Sequence, residues 1–112
     1  MMNTEPHPAF APMKLGPIEL RNRVIKAATF EGMAIDNMVT DALIDFHKAF
    51  GEGRIGMTTL AYCAVSSDGQ GAPNEIVMRK EAVPGLRCFA DEMHDLDVAA
   101  SIQHGHAGPV GI

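Results

Sequence analysis

Two short runs in which apolar and polar residues alternate flank a turn near the start of the chain. They occupy residues 13–20, with Gly16 and Pro17 between them. Alternation with a period of two is typical of a strand with one buried face, and a Gly-Pro pair favours a turn. The pattern therefore predicts a small β-hairpin. Because a hairpin of this size is marginal alone, we expect it to pack against the base of a larger sheet.

Three further apolar segments have the character of core strands. Residues 24–29 form a β-branched run, and residues 55–65 form a nearly continuous apolar run with threonines. A third run covers residues 98–103. Unbroken runs of this kind are typical of strands buried on both faces of a parallel sheet. The first run ends in the small residues 27–29, which leave room for a flat ligand.

Two segments between these strands show the three- and four-residue spacing of apolar positions that predicts a helix. In the first, Thr40 precedes an apolar stripe that extends to Phe50, and Gly51 and Gly53 are predicted to end the helix. Threonine is a favoured helix N-cap and glycine a common terminator. The second helix is predicted over residues 81–95, and residues 66–74 are a long loop by composition.

The order hairpin, β, α, β, α, β predicts right-handed crossovers and a parallel α/β sheet. A doubly wound dinucleotide fold would carry G-x-G-x-x-G after its first strand, where this chain offers only Gly32. A partial (β/α)8 TIM barrel is favoured, with three of its eight strands. We expect an extended, proline-rich arm over residues 1–12 and a truncated barrel domain over residues 13–112.

Composition narrows the classes of partner. The 112 residues carry a formal net charge of -5, which argues against a nucleic acid or an anionic membrane as partner. Cys63 and Cys88 form no disulfide framework, and no signal peptide is visible. These features predict reduced thiols and a cytoplasmic location.

The end of the third strand concentrates polar residues that suit a ligand site. His104 and His106 are two apart and share a face of a strand, which is compatible with zinc, but no third ligand is evident nearby in sequence. We therefore predict no metal site. Gln103 holds a donor and an acceptor side by side, which suits a pyrimidine-like ring edge. A buried, internally satisfied amide is the alternative for Gln103.

Several other side chains could in principle take part in catalysis or binding, and the sequence favours structural roles for most of them. The loop carboxylates show no pairing in the sequence that would support a glycosidase-like acid/base pair, and they are predicted to be solvated; they are Glu31, Asp36, Asp68 and Glu75. Cys63, within a predicted buried strand, is expected to be an inert thiol. Tyr62 can either stack on a ligand or fill the core.

Three strings carry a resemblance to a known family: LGPIELRNRV at residues 15–24, AYCAVSSDGQG at 61–71 and IQHGHAG at 102–108. In this order and spacing they resemble the amino-terminal part of the old yellow enzyme family. That family comprises NAD(P)H-linked flavin oxidoreductases and includes the 2,4-dienoyl-CoA reductases. The resemblance implies an FMN-binding (β/α)8 barrel with the hairpin at its base. It also implies hydride transfer from the reduced flavin to an activated alkene or a similar small-molecule acceptor.

The resemblance assigns cofactor contacts to particular positions. By motif position, the end of the first strand contacts the isoalloxazine through Ala27, Ala28, Thr29 and Phe30. Tyr62 falls where a usually smaller residue offers its backbone to the flavin, and Gln103 matches the glutamine that bonds the pyrimidine edge. His106 matches the histidine of an H-A-G motif near the site.

The resemblance also implies that the catalytic residues and the phosphate-binding loops lie beyond residue 112. We expect a chain that is inactive alone and whose open barrel edge favours self-association or complementation by another polypeptide. Two alternatives remain: a half-barrel that serves as a binding or assembly module, and a metal hydrolase built on His104 and His106.

Overall fold

The computed structural model describes residues 7–112, which form one α/β unit. Four 3₁₀ turns accompany the regular elements, at Pro8–Phe10, Ser67–Gly69, Lys80–Ala82 and Gly108–Val110. The strands and helices, in chain order, are β1 (Met13–Leu15), β2 (Ile18–Leu20), β3 (Ile25–Lys26), α1 (Asp41–Glu52), β4 (Met57–Ala64), β5 (Ile76–Val77), α2 (Val83–Asp95) and β6 (Ala99–Gly105).

The predicted hairpin is present as β1 and β2, which pair antiparallel with Met13 opposite Leu20. Gly16 takes a φ of +59°, a left-handed conformation that glycine adopts without steric cost, so the turn can be this tight. After β2, Arg21 Nη1 donates to the carbonyl of Leu96 at 3.1 Å. Because Leu96 lies just before β6 begins, this contact attaches the hairpin near the amino-terminal end of the sheet.

The larger sheet is parallel and is organised around β4. β4 pairs with β6 along its length, from Met57 opposite Ala99 to Ala64 opposite Gly105. Its other edge is shared by β3, opposite Met57 and Thr58, and by β5, opposite Cys63 and Ala64. The strands predicted over residues 55–65 and 98–103 are therefore confirmed, with slightly different ends.

The strand predicted over residues 24–29 is wrong in its extent, because only Ile25–Lys26 pairs. β5 pairs with the carboxyl half of β4 on this same edge, and residues 27–34 run outside the sheet. β5 itself was not predicted. Two residues are too few to show a period in the sequence.

Both predicted helices are present. The Thr40 side chain caps α1 by accepting a hydrogen bond from the Leu43 amide at 3.1 Å. α2 begins at Val83, two residues later than predicted, after the 3₁₀ turn at Lys80–Ala82, with a proline in its first turn. No helix in the described part of the chain is long and apolar enough to cross a lipid bilayer.

The hydrophobic core lies between one face of the sheet and the two helices. It contains Leu43 from α1, Leu60 and Cys63 from β4, and Phe89 and Met93 from α2, all almost completely buried. Alternate residues of β4 face the other side of the sheet, where the Thr59 hydroxyl meets the Ser101 hydroxyl at 2.8 Å. The sheet thus presents one covered face and one half-buried, partly polar face.

The division into an arm and a barrel domain remains a prediction. Residues 1–6 of the predicted arm lie outside the described residues. In the described part of the arm, Pro8–Phe10 form a 3₁₀ turn, and the Arg23 amide donates to the carbonyl of Ala9 at 2.9 Å.

Candidate cofactor site at the carboxyl ends of the strands

The carboxyl ends of the parallel strands meet at one edge of the sheet, where α/β folds form their ligand sites. Residues 27–30 leave β3 there, Tyr62 lies near the end of β4, and Gln103 lies near the end of β6. The register between β4 and β6 shifts between Leu60 and Cys63. Such a bulge re-aims a side chain. Tyr62 is accordingly 39% exposed, although Cys63 next to it is fully buried.

Phe30 and Tyr62 connect the ends of β3 and β4. Their ring centroids are 5.2 Å apart and the ring planes are inclined by 14°, which is a stacked pair. The sequence left open whether Tyr62 stacks or fills the core. Tyr62 stands outside the core and stacks on an aromatic ring of the protein itself, so the pair offers a flat aromatic surface at the strand ends.

A cleft of about 410 Å³ opens beside this pair, and Tyr62, Glu75, Gln103, His104 and His106 are among its lining residues. The Gln103 side chain is exposed and makes no hydrogen bond with any residue of 7–112. The alternative of a buried, internally satisfied amide is therefore wrong. A free donor and a free acceptor face the cleft region side by side.

Most of the other predicted contact residues line a second cavity, of about 470 Å³. Its lining includes Ala27, Thr29 and Phe30, together with Phe46 and Phe50 of α1. Ala28 lines neither cavity. Tyr62 and Gln103 thus line the first cleft, and residues that follow β3 line the second cavity. The Phe30–Tyr62 pair links the two, because Tyr62 lines the first and Phe30 the second.

His104 and His106 line the same cleft, and His106 also contacts its own loop and the loop after β4. The His106 ring accepts a hydrogen bond from the Gly108 amide at Nδ1 and lies 4.0 Å from an Asp68 oxygen at Nε2. It also packs on Gly69, where an added Cβ would come within 2.7 Å of the ring. Within residues 7–112, His, Cys, Asp and Glu side chains form no group of three that could hold a metal.

The prediction that the loop carboxylates are solvated is wrong for two of the four. Glu75 is 3% exposed, and its Oε2 accepts hydrogen bonds from the amides of Gly71 and Ala72 at 2.8 and 3.3 Å. The Glu31 side chain is also buried, and its Oε1 lies 2.5 Å from Nε2 of His47. Asp36 and Asp68 are exposed, as predicted.

Sequence reasoning did not single out His47, although the sequence contains a signal for it. His47 lies four residues after Leu43, on the stripe of α1 that faces the core. A titratable residue on such a stripe requires buried partners. Its partners, Glu31 and Thr58, come from other elements, and that pairing is visible only in the folded chain.

Cys63 is the inert thiol that its position predicted. It is completely buried, and this burial, reinforced by the nearby carboxylates Glu31 and Glu75, raises the pKa of the Cys63 thiol to about 12. Since the pKa is raised on folding, the protonated thiol contributes stability that is fully present below its ordinary value of 9.0. That contribution is lost as the pH rises from 9.0 towards about 12.

Thiol labelling is expected to distinguish the two cysteines. At about pH 8 a thiol-specific reagent should modify exposed Cys88 in the folded chain, because only a solvent-accessible thiolate reacts. Cys63 should react only after denaturant is added. Rapid modification of both thiols in the folded chain would contradict the buried position of β4, and a Cys88→Ser variant provides the control for assignment.

The chain matches the model of the NADH:flavin oxidoreductase / NADH oxidase family over residues 8–110. It is 48% identical over 110 residues to the 4,4'-dithiodibutanoate disulfide reductase of Rhodococcus erythropolis, covering 97% of this chain and 27% of that protein. It is 30% identical over 82 residues to a metal reductase of Desulforamulus reducens, covering 73% of this chain and 12% of that protein. The chain thus spans about a quarter or less of these relatives.

Solved structures show the same fold at lower identity. A 2-naphthoyl-CoA reductase in complex with 2-naphthoyl-CoA superposes with a TM-score of 0.89 at 22% identity, over 94% of this chain and 16% of that one. The old yellow enzyme of a Pichia species gives 0.85 at 20% identity, over 93% and 28%. The prediction of an α/β chain that forms part of a (β/α)8 barrel is confirmed. On the family match and the 48% relative, the chain belongs to the NADH:flavin oxidoreductase family of old yellow enzyme type, whose members are oxidoreductases that use FMN with NAD(P)H.

Proposed function

We propose that this chain forms the pyrimidine side of the FMN site in an NAD(P)H-dependent oxidoreductase. The observation that carries the proposal is Gln103, whose exposed amide has no hydrogen-bond partner within residues 7–112 and lies at the carboxyl end of β6. A buried or internally bonded amide would not serve this purpose. An amide that offers N–H and C=O together matches a ring edge that carries both an acceptor and a donor.

The chemistry of the neighbouring residues fits an isoalloxazine ring. The small side chains of Ala27 and Ala28 permit a close approach of a flat ring to the backbone, and Thr29 adds a hydroxyl. Phe30 and Tyr62 supply a stacked aromatic pair, of which Tyr62 lines the same cleft as Gln103. Ligand sites combine apolar walls with a few placed polar groups, and this set has that composition. We therefore assign these six residues to cofactor binding.

FMN held by these residues would supply hydride transfer from NAD(P)H to an acceptor. For an activated alkene, as in the ene-reductases, the hydride adds to one carbon and a proton to the other. The 48% identical relative is named as a disulfide reductase, and this favours an organic disulfide as a second candidate acceptor. In that case two electrons and two protons yield two thiols. Residues 7–112 contribute binding and orientation in either case.

The described residues form an open sheet, and we propose that they act together with further barrel strands. Within residues 7–112, β6 pairs only with β4, so the other edge of β6 presents free backbone groups. Free strand edges pair readily with other strands. A second copy of the chain or another polypeptide can supply them. We propose that catalysis requires this completion and that the protein acts in the cytoplasm.

Titration of FMN with the 112-residue chain tests the proposed site. We expect reversible quenching of flavin fluorescence, too weak for FMN to remain bound during purification. Replacement of the amide in Gln103→Leu should weaken binding by about tenfold, which is the value of one hydrogen bond of about 1.4 kcal/mol. The matched control is Gln70→Leu, because Gln70 is the only other glutamine and its amide bonds within its own loop to the carbonyl of Ala72.

The two variants separate the outcomes. Equal weakening by Gln70→Leu and Gln103→Leu would remove the specific assignment of Gln103. Absence of any quenching with the unmodified chain would contradict FMN binding by these residues.

A further inference from the structure

The segment that carries Phe30 makes few hydrogen bonds, and packing holds only its far end, where Ala34 lies in the core and Met33 packs against it. Residues 27–34 belong to no helix or strand, and no hydrogen bond between backbone groups within residues 7–112 involves residues 28–34. Near its end, the Thr40 hydroxyl donates to the carbonyl of Met33 at 2.7 Å. Thr29 makes only a long contact of 3.5 Å to the neighbouring carbonyl of Ala27. A segment of this kind needs another anchor if Phe30 is to hold one position.

Glu31, the residue after Phe30, provides that anchor. Its Oε1 lies 2.5 Å from His47 Nε2, and His47 Nδ1 lies 2.6 Å from the Thr58 hydroxyl. The side chains of Glu31 and His47 are 2% and 0% exposed, and Thr58 is fully buried. The chain of contacts thus ties the loop to α1 and to β4. The His47 ring is itself held edge-on against Phe89, 5.2 Å away.

The second oxygen of the same carboxyl group argues against a purely stabilising role. Glu31 Oε2 is buried and has no hydrogen-bond partner within residues 7–112. A buried polar atom without a partner costs free energy, and apolar replacement of a buried charged pair is often neutral or stabilising. This cost indicates that the buried carboxyl group serves a purpose other than stability. Because Glu31 is next to Phe30 in the chain, that purpose is to fix the position of the Phe30 ring.

We propose that Glu31 is a positioning residue: through His47 and Thr58 it holds Phe30 in its stack against Tyr62. The inference rests on the proposed function for its purpose, because the stacked pair is the aromatic surface assigned to the flavin. The positioning itself is a property of the chain without FMN. It can therefore be measured separately.

Near-ultraviolet circular dichroism of the tyrosine band measures how firmly Phe30 is held in its stack against Tyr62. Tyr62 is the only tyrosine and the chain has no tryptophan, so this band reports on one side chain. In Glu31→Ala the stack should loosen and most of the band should be lost. Glu31→Gln keeps an oxygen that can bond to His47, so this variant should retain the tyrosine band. The control is Ile44→Val, because Ile44 of α1 lines a cavity with Cys88 and Glu92 of α2; stability should fall and the tyrosine band should be unchanged.

Glu31→Ala leaves His47 buried without its partner. If that variant does not fold, a double variant still tests the proposal. Glu31→Leu combined with His47→Leu replaces the pair by apolar residues, which should preserve the far-ultraviolet spectrum and cooperative unfolding. The tyrosine band should still be lost. A folded double variant with the full tyrosine band would overturn the positioning role.

FMN titration of the same variants links the inference to the site. Glu31→Ala and Phe30→Ala should weaken FMN binding by the same factor, because each removes the ordered stack. If both lose the tyrosine band while the unmodified chain binds no FMN, the positioning role stands and the proposed function fails. If FMN binds the unmodified chain and Glu31→Ala equally well, with the band intact in both, the positioning role fails and the proposed function stands.

Discussion

Truncation of Phe89 to alanine is expected to lower the free energy of unfolding by about 3–5 kcal/mol. The Phe89 side chain is 2% exposed and lies in the cluster that joins α1, α2 and β4. Its removal leaves a cavity that rigid neighbours on three elements cannot fill. Because a small domain has a total stability of only about 5–15 kcal/mol, this loss is a large share of the total and should lower the denaturation midpoint strongly. Urea denaturation followed by circular dichroism measures the change.

Val83→Ala is the control on the same helix. Val83 is 44% exposed at the start of α2, and its truncation should change the stability by less than about 1 kcal/mol. Similar losses in the two variants would contradict the assignment of the core to the side of α2 that carries Phe89.

Alanine at Gly56 is expected to destabilise the chain by about 1–3 kcal/mol. An added Cβ would lie 2.4 Å from the Asn22 carbonyl oxygen and 2.9 Å from its Oδ1. Asn22 cannot move freely, since its side chain donates to the Arg54 carbonyl at 2.7 Å and accepts from the Val24 amide at 3.0 Å. The backbone itself would have to shift where β3 meets β4. Thermal and urea denaturation both report the loss.

Gly105→Ala provides the comparison at the opposite end of the sheet. Among the described residues other than its chain neighbours, no atom lies within 4 Å of a Cβ built on Gly105, so this substitution should leave stability nearly unchanged. If Gly56→Ala were as stable as Gly105→Ala, the close approach of Gly56 to Asn22 would be contradicted.

Local chemistry made much of the fold predictable from the sequence. Thr40 marked the start of α1 because its hydroxyl caps the helix, and Gly16 marked the hairpin turn because it tolerates a positive φ. The apolar runs of β4 and β6 were predictable because burial on two faces removes polar residues. These features depend on residues close together in the chain.

Features that depend on distant partners were not predictable. Glu31 and Glu75 were expected in solvent because no partner is evident in their sequence neighbourhood; His47 lies 16 positions from Glu31. The shortness of β3 follows from the pairing of β5 with the same edge of β4. The register shift near Tyr62 depends on how β4 and β6 align. In the candidate site, the amide chemistry of Gln103 was predictable, and its exposure required the folded chain.

In the proposed site, FMN binds at the carboxyl ends of β3, β4 and β6 through the Gln103 amide. Nuclear magnetic resonance of the isotopically labelled chain tests this most directly, because the side-chain amide of Gln103 gives its own signals. On addition of FMN, we predict that these signals shift together with the backbone signals of Ala27, Phe30 and Tyr62. Saturating changes confined to other residues, with the Gln103 amide signals unmoved, would contradict FMN binding through Gln103.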